Sequence, residues 1–184
     1  MGTRGTLRIY LDGKLKVRQY NQWDSYPTGQ VDGLGRFLAS ENNRRRLITV
    51  LKHLTFYTKD EVDDFSNEEG AKGNVFEQAR FLYTTNRDWG YKILYLLCIC
   101  PQMFYGTKTD DGEDVHYKLA DWVDVFDEGN DLEPQEGNYV IELHTGSDEY
   151  RITGDWHGTV RDFYNRVPTE KELEEWEAEG NNAE

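Results

Sequence analysis

Apolar and polar residues alternate at the start of the chain, Leu7 and Ile9 against Arg8 and Tyr10, then Leu15 and Val17 against Lys16 and Arg18. A period of two is a strand signal and Asp12-Gly13 is turn chemistry, so the first twenty residues predict a β-hairpin. A two-residue turn would set Ile9 beside Lys16 and Leu7 beside Arg18, mixing the faces. A three-residue loop, Leu11-Asp12-Gly13 with Gly13 left-handed, pairs Ile9 with Leu15 and Leu7 with Val17 instead. In that register Arg4, Arg8, Tyr10, Lys16, Arg18 and Tyr20 share the other face, exposed or turned toward a ligand.

Helical spacing follows. Leu34, Phe37 and Leu38 predict a helix over roughly 31–39, and Ser40 caps a second that carries Leu47, Ile48, Val50, Leu51 and Leu54. Residues 59–73 read as a polar loop and 74–83 as a short helix. Tyr91 to Cys100 is apolar throughout, which predicts a central strand covered on both faces and ended by Pro101. Over 117–126 the helical and strand periods compete. A second hairpin is expected from 139–145 and 149–153 around Gly146-Ser147-Asp148. Asp155 caps an expected helix bearing Val160, Phe163, Tyr164 and Val167, which Pro168 ends. Thr169 with Glu172 forms a capping box for a last, acidic helix with Leu173 and Trp176, expected at the periphery. The sum is an α+β domain over 1–168, a mostly antiparallel sheet of N- and C-terminal hairpins with helices packed on it, followed by an acidic helix or tail over 169–184.

Composition narrows the class. With 184 residues and 14% aromatic side chains the chain can build one core. Its longest apolar run, Ile93 to Cys100, is far too short to span a membrane, and the two cysteines make no disulfide framework. A soluble protein of the host-cell cytoplasm, without membrane contact, is expected. The net charge of −14 argues against non-specific DNA binding, because condensed counterions are released by basic surfaces. The charge is uneven: residues 1–53 hold ten Lys or Arg against four Asp or Glu, whereas 109–137 hold eleven acids and one Lys.

The densest candidate chemistry is Arg4 with Tyr20-Asn21-Gln22-Trp23-Asp24-Ser25-Tyr26-Pro27. A salt bridge of Arg4 with Asp24 would fix the hairpin onto the loop, with Trp23 and Tyr26 as core anchors. The functional alternative is a pocket: Arg4 and Arg18 bind an anion, Tyr20 and Trp23 stack on a base or ring, and Arg8, Gln22, Asp24 and Tyr26 complete the ligand-binding set. Gly2-Thr3-Arg4, Asp12-Gly13-Lys14 and the loop over 20–27 resemble a family of small proteins of phages, plasmids and other mobile elements. Those proteins open on a Thr-Arg segment and carry a Tyr-x-x-Trp-Asp-Gly-Tyr-Pro-like loop, where this chain has Ser25 in place of Gly. The likeness covers residues 1 to about 40. Some proteins of this look sit with type II anti-CRISPR genes, so the resemblance implies counter-defence, with a Cas9-type nuclease as partner, and it transfers no catalytic residue. An N-terminal nucleophile hydrolase is a poorer match, because removal of Met1 would expose Gly2 and not Thr3.

Among the acids, Asp121, Asp124, Asp127 and Glu128 are the candidate partner-binding residues, either as a solvated face or as mimics of a nucleic-acid backbone. The Asp110–Asp114 stretch lacks calcium-loop spacing, and His53, His116, His144 and His157 make no zinc motif, so no metal or cofactor is expected. His144 and His157 could meet in space as acid and base, with Asp24 as a further catalytic candidate. The reading taken forward is a phage or mobile-element counter-defence protein that binds and inhibits a host defence nuclease or sequesters a nucleotide-type ligand. The alternative is a small hydrolase or nuclease acting on a phosphate-containing substrate. An accessory interaction protein without a small ligand is the third.

Overall fold

The opening alternation folds as a hairpin of β1 (Gly5–Leu11) and β2 (Lys14–Asn21). A computed structural model of the chain describes residues 3–22, 24–66, 89–104, 117–121 and 136–183. The turn is Asp12-Gly13 with positive φ at both residues, 51° and 74°, whose twist suits a hairpin. It is therefore the two-residue turn and not the expected three-residue loop. A bulge restores the faces: Tyr10 pairs with Leu15 and Ile9 with Val17, leaving Lys16 as the extra residue. Beyond it Leu7 pairs with Gln19, so the expected pairs Ile9–Leu15 and Leu7–Val17 are not formed. Ile9, Val17 and Gln19 are wholly buried.

Pro27 opens α1 (Pro27–Ala39), and Ser40 caps α2 (Glu41–Lys52) by accepting from the Asn43 amide. After β3 (Leu54–Phe56) comes α3 (Lys59–Ser66), where a loop was expected. Thr58 and Glu61 bond each other's backbone amides there, a capping box that the polar composition hides. The apolar run expected as a strand is α4 (Lys92–Ile99), followed by a 3-10 turn over Pro101–Phe104. A continuous apolar run carries no period to separate helix from strand, and packing on α2 and α1 decides here. In consequence Cys98 and Cys100 do not share a strand face. The expected helix at 74–83 and the acidic turn over 107–116 lie outside the described residues, as do 122–126, while 117–119 form β4 (Tyr117–Leu119), paired with β3.

The second hairpin, β5 (Gly137–Leu143) and β6 (Tyr150–Trp156), is present, but the helix expected behind Asp155 is a strand, β7 (Thr159–Tyr164). His157 and Gly158 take positive φ of 47° and 81°, and Asp155 accepts from the Gly158 amide, so Asp155 caps a turn. The sheet order is β2-β1-β5-β6-β7, antiparallel except where β1 and β5 run parallel. This is the α+β architecture of two hairpin units with helices on one face.

The last helix, α5 (Glu170–Asn181), has the expected capping box but is not peripheral. Trp176 is wholly buried against Tyr139 and Phe163, and its indole donates to the Thr159 carbonyl. Gly180 lets the helix approach Trp156, since a Cβ there would lie 2.8 Å from the Trp156 carbonyl oxygen. The core so formed lies between the sheet's inner face and α1, α2, α4 and α5. Among the described residues no helix is long and apolar enough to cross a membrane.

Candidate functional site: the outer face of the sheet

The register assigns the outer face. It carries Tyr20, Thr6, Asn138, Asp155 and Val160 in one row, Arg18, Arg8, Val140, Thr153 and Asp162 in the next, and Leu15, Tyr10, Glu142, Arg151 and Tyr164 in a third. Arg8, Tyr10, Arg18 and Tyr20 thus share a face as the sequence implied. Lys16 is the bulged residue, its ammonium donates to the Leu54 carbonyl, and burial lowers its pKa.

That cationic cluster is not free to take a ligand anion at its centre. Arg18 donates from Nε and Nη2 to the two carboxylate oxygens of Asp121 at 2.7 and 2.5 Å, and the side chains are only 19% and 5% exposed. Asp121 is therefore no part of a solvated acidic surface, and Asp124, Asp127 and Glu128 lie outside the described residues. Tyr20 is buried, whereas Arg8 beside Arg18 forms no ion pair among the described residues. The β1–β2 half of the face is closed and the β6–β7 half is open, with Val160 61% and Tyr164 54% exposed.

The polar loop behind β2 is used as a clasp at one end of the sheet. Asn21 Nδ2 donates to Ser25 Oγ, Tyr139 OH to the Ser25 carbonyl at 2.6 Å, and Gln30 Nε2 to the Asp24 carbonyl. Burial pushes the Tyr139 hydroxyl pKa far up, which keeps it a donor. A Cβ on Gly5 would lie 2.6 Å from the Gly137 carbonyl oxygen and 2.7 Å from Ser25 Cβ, so the loop seats directly on the strand ends. Asp24 has a φ of 55°, and its exposed carboxylate makes no bond to Arg4, so the expected salt bridge is absent. Instead the Arg4 amide donates to Glu136 at 2.9 Å. Tyr26 is exposed, with its ring 5.5 Å from that of Trp156, and Gln22 is half-buried. Trp23 lies outside the described residues. The expected ligand set is therefore divided between this end (Arg4, Gln22, Asp24, Tyr26) and the outer face (Arg8, Arg18, Tyr20).

The histidines do not form a pair. His144 follows β5 and His157 follows β6 at opposite ends of the sheet, separated by the length of β6, about 20 Å at roughly 3.3 Å per residue. His157 packs edge-on against Trp156, with ring centroids 4.4 Å apart and planes at 77°. His144 Nδ1 lies 3.8 Å from Asp12 Oδ1, and bonds from Thr145 hold the Asp12 carboxyl below the usual carboxylate range. His116 lies outside the described residues. Burial pushes the Cys98 thiol up to about 11, which makes it a poor nucleophile. Among the described residues no three potential ligands group to hold a metal ion.

A cleft of about 430 Å³ opens on the outer face beside His144, walled by Glu142, Glu149, Arg151, Asp162 and Tyr164. Arg151 is held by Asp162 at 2.5 Å and Glu142 at 3.6 Å, and Glu149 also lines the cleft beside Tyr164, so three carboxylates share a cleft with one guanidinium, a field that repels phosphate and attracts cations. The hydrogen bonds and charge of Asp162 raise the Arg151 pKa. The sequence hides this group because Val160, Phe163 and Tyr164 also satisfy a helical period; the His157-Gly158 dipeptide ahead of an alternating segment is the available hairpin signal. No protein-family model, curated protein or solved structure matches the chain.

Proposed function

We propose that the chain is a non-enzymatic counter-defence protein of a phage or mobile element, acting in the host cytoplasm by docking the β6–β7 half of its outer sheet face on a host defence nuclease. The observation that carries this reading is the asymmetry of the face. Its β1–β2 half is closed by Asp121 on Arg18, while Val160 and Tyr164 stand 61% and 54% exposed on either side of Asp162, and Tyr164 shares a cleft with Glu142 and Glu149. Exposed Val160 and Tyr164 flanking a carboxylate-rich cleft suit a basic protein surface. The nucleic-acid channel of an RNA-guided, Cas9-type nuclease is such a surface, and carboxylates would occupy places it keeps for phosphates. The resemblance of residues 1 to about 40 to mobile-element proteins supports the same class.

Sequestering a nucleotide has less support, because Arg18 is spent on Asp121 and Tyr20 is buried. A phosphodiester hydrolase has less still, since His144 and His157 are a sheet's length apart. The test is binding to a Cas9–guide complex at rising salt. Affinity should fall at least tenfold between about 50 and 200 mM salt, as for a contact made through several charges. Absence of binding, or binding indifferent to salt, removes the proposal.

A further inference from the structure

The backbone of β7 poses a question that its side chains do not answer. Trp156 and Thr159 flank a two-residue turn and form its hydrogen-bonded pair, so Gly154–Arg161 and Ile152–Phe163 are the next such pairs. Asn165 confirms the phase at the far end, its amide donating to the Tyr150 carbonyl and its side chain accepting from the Tyr150 amide. The N–H and C=O groups of Val160, Asp162 and Tyr164 therefore point away from β6. They have no partner among the described residues, and all three residues are exposed. A row of unpaired backbone groups is a template for another strand.

Two occupants compete, and charge decides between them. A second copy would pair β7 with itself, outward-pointing residues opposite outward-pointing residues. The register with the greatest overlap sets Asp162 against Asp162 of the other copy, and the neighbouring one that keeps Val160 sets Arg161 against Arg161. Like charges directly opposite destabilise a pair, and each copy also brings a net charge of −14. A basic strand meets no such conflict. On the outer side three carboxylates, Glu142, Glu149 and Asp162, line one cleft with a single guanidinium, Arg151. On the inner side a groove of about 270 Å³ separates β7 from α5, where Arg161 and Arg166 face Glu172, Glu175 and Glu179. Along α5 six glutamates accompany one lysine.

We propose that the free edge of β7 takes on, as a sixth strand, an extended segment of a partner protein that bears lysine or arginine at alternate positions. The main chain of β7 would supply affinity, and the carboxylates on both sides of the edge would select the basic residues. This gives a recognition mode to the docking proposed above and rests on it for the identity of the partner, but not for the edge itself.

The experiment uses the full chain and an eight-residue synthetic peptide alternating Lys and Val. Binding should slow amide exchange at Val160, Asp162 and Tyr164 at least tenfold. The same peptide with alternate amides N-methylated, and its Glu-for-Lys counterpart, should not. Val160→Pro removes an N–H that points away from the sheet and should leave the fold intact while weakening the peptide at least tenfold; Val160→Thr should keep it. Should Val160→Pro fail to fold, the N-methylated peptide on the unaltered chain makes the same decision. Unchanged exchange at the three amides, equal slowing by the Glu peptide, or peptide-independent slowing accompanied by dimers in sedimentation each overturns the proposal. A chain that takes the peptide but no nuclease complex upholds the edge and overturns only the docking reading.

Discussion

The guanidinium of Arg18 on β2 grips both carboxylate oxygens of Asp121, two hydrogen bonds of 2.7 and 2.5 Å joining them across 103 positions of the chain. A planar fork on a planar acceptor is the strongest geometry open to an ion pair, and little of either side chain reaches solvent. Removing one partner leaves a charge in a site built for two. Asp121→Asn should lower unfolding stability by about 3 kcal/mol in denaturant titration, whereas Arg18→Met with Asp121→Leu should recover most of it. If Asp121 served partners directly, Asp121→Asn would reduce binding and leave the denaturation midpoint in place.

Gln19 shows what the bulge in β2 entails. Its side chain is wholly buried on the core face opposite Leu7, and neither its amide nitrogen nor its oxygen finds a partner. Leaving such groups unsatisfied costs about 1–3 kcal/mol, so Gln19→Met, close in shape and apolar, should raise the denaturation midpoint by a corresponding amount. A midpoint that falls would mean the amide is satisfied in solution.

These two residues also mark the limits of the sequence. Leu7, Ile9 and Val17 announced a hairpin and its core face through their period, and Ser40, Thr169 and Glu172 announced helix starts through capping chemistry that acts within four residues. The face of Gln19 depends on where one extra residue is inserted, and the fate of Arg18 depends on Asp121, far along the chain; neither leaves a local trace. Val160, Asp162 and Tyr164 escaped because apolar residues at 160, 163 and 164 also satisfy a helical period. Of the candidate site, the face shared by Arg8, Tyr10, Arg18 and Tyr20 was legible. Its neutralisation and the open half beside β7 were not.

Trp176 decides whether residues 169–184 are an appendage. It is wholly buried against Tyr139, Phe163 and Gly154. Trp176→Ala should cost about 3–5 kcal/mol, and ending the chain after Pro168 should abolish cooperative thermal unfolding. A truncated chain that melts as sharply as the full one would restore the helix to the periphery.

Acid should loosen this helix first. Glu172 accepts from both terminal guanidinium nitrogens of Arg166 and from the Thr169 amide and hydroxyl, which hold its pKa down to about 2. Because the folded value lies below the ordinary 4.5, the contribution is complete above that pH and is lost as pH falls toward 2. The side chain is 39% exposed, so screening reduces its worth to about 1 kcal/mol. Glu172→Gln should remove that part of the acid dependence of stability, read as a flatter midpoint between the two pH values.

Electrostatics and packing should separate in the kinetics of docking. Glu170 and Glu174 on α5 are exposed and form no ion pair among the described residues, so in the proposed docking their charge would act at a distance. Tyr164 stands in the open half of the outer face, where it would be covered at close range. Reversing Glu170 and Glu174 to Lys should lower the association rate for a Cas9–guide complex severalfold at low salt and leave dissociation nearly unchanged. Tyr164→Ala should do the opposite, raising dissociation about tenfold with little effect on association. Surface-resonance traces at two salt concentrations resolve both constants. A dissociation rate unchanged by Tyr164→Ala would place Tyr164 outside the contact and shift the docking surface to α5.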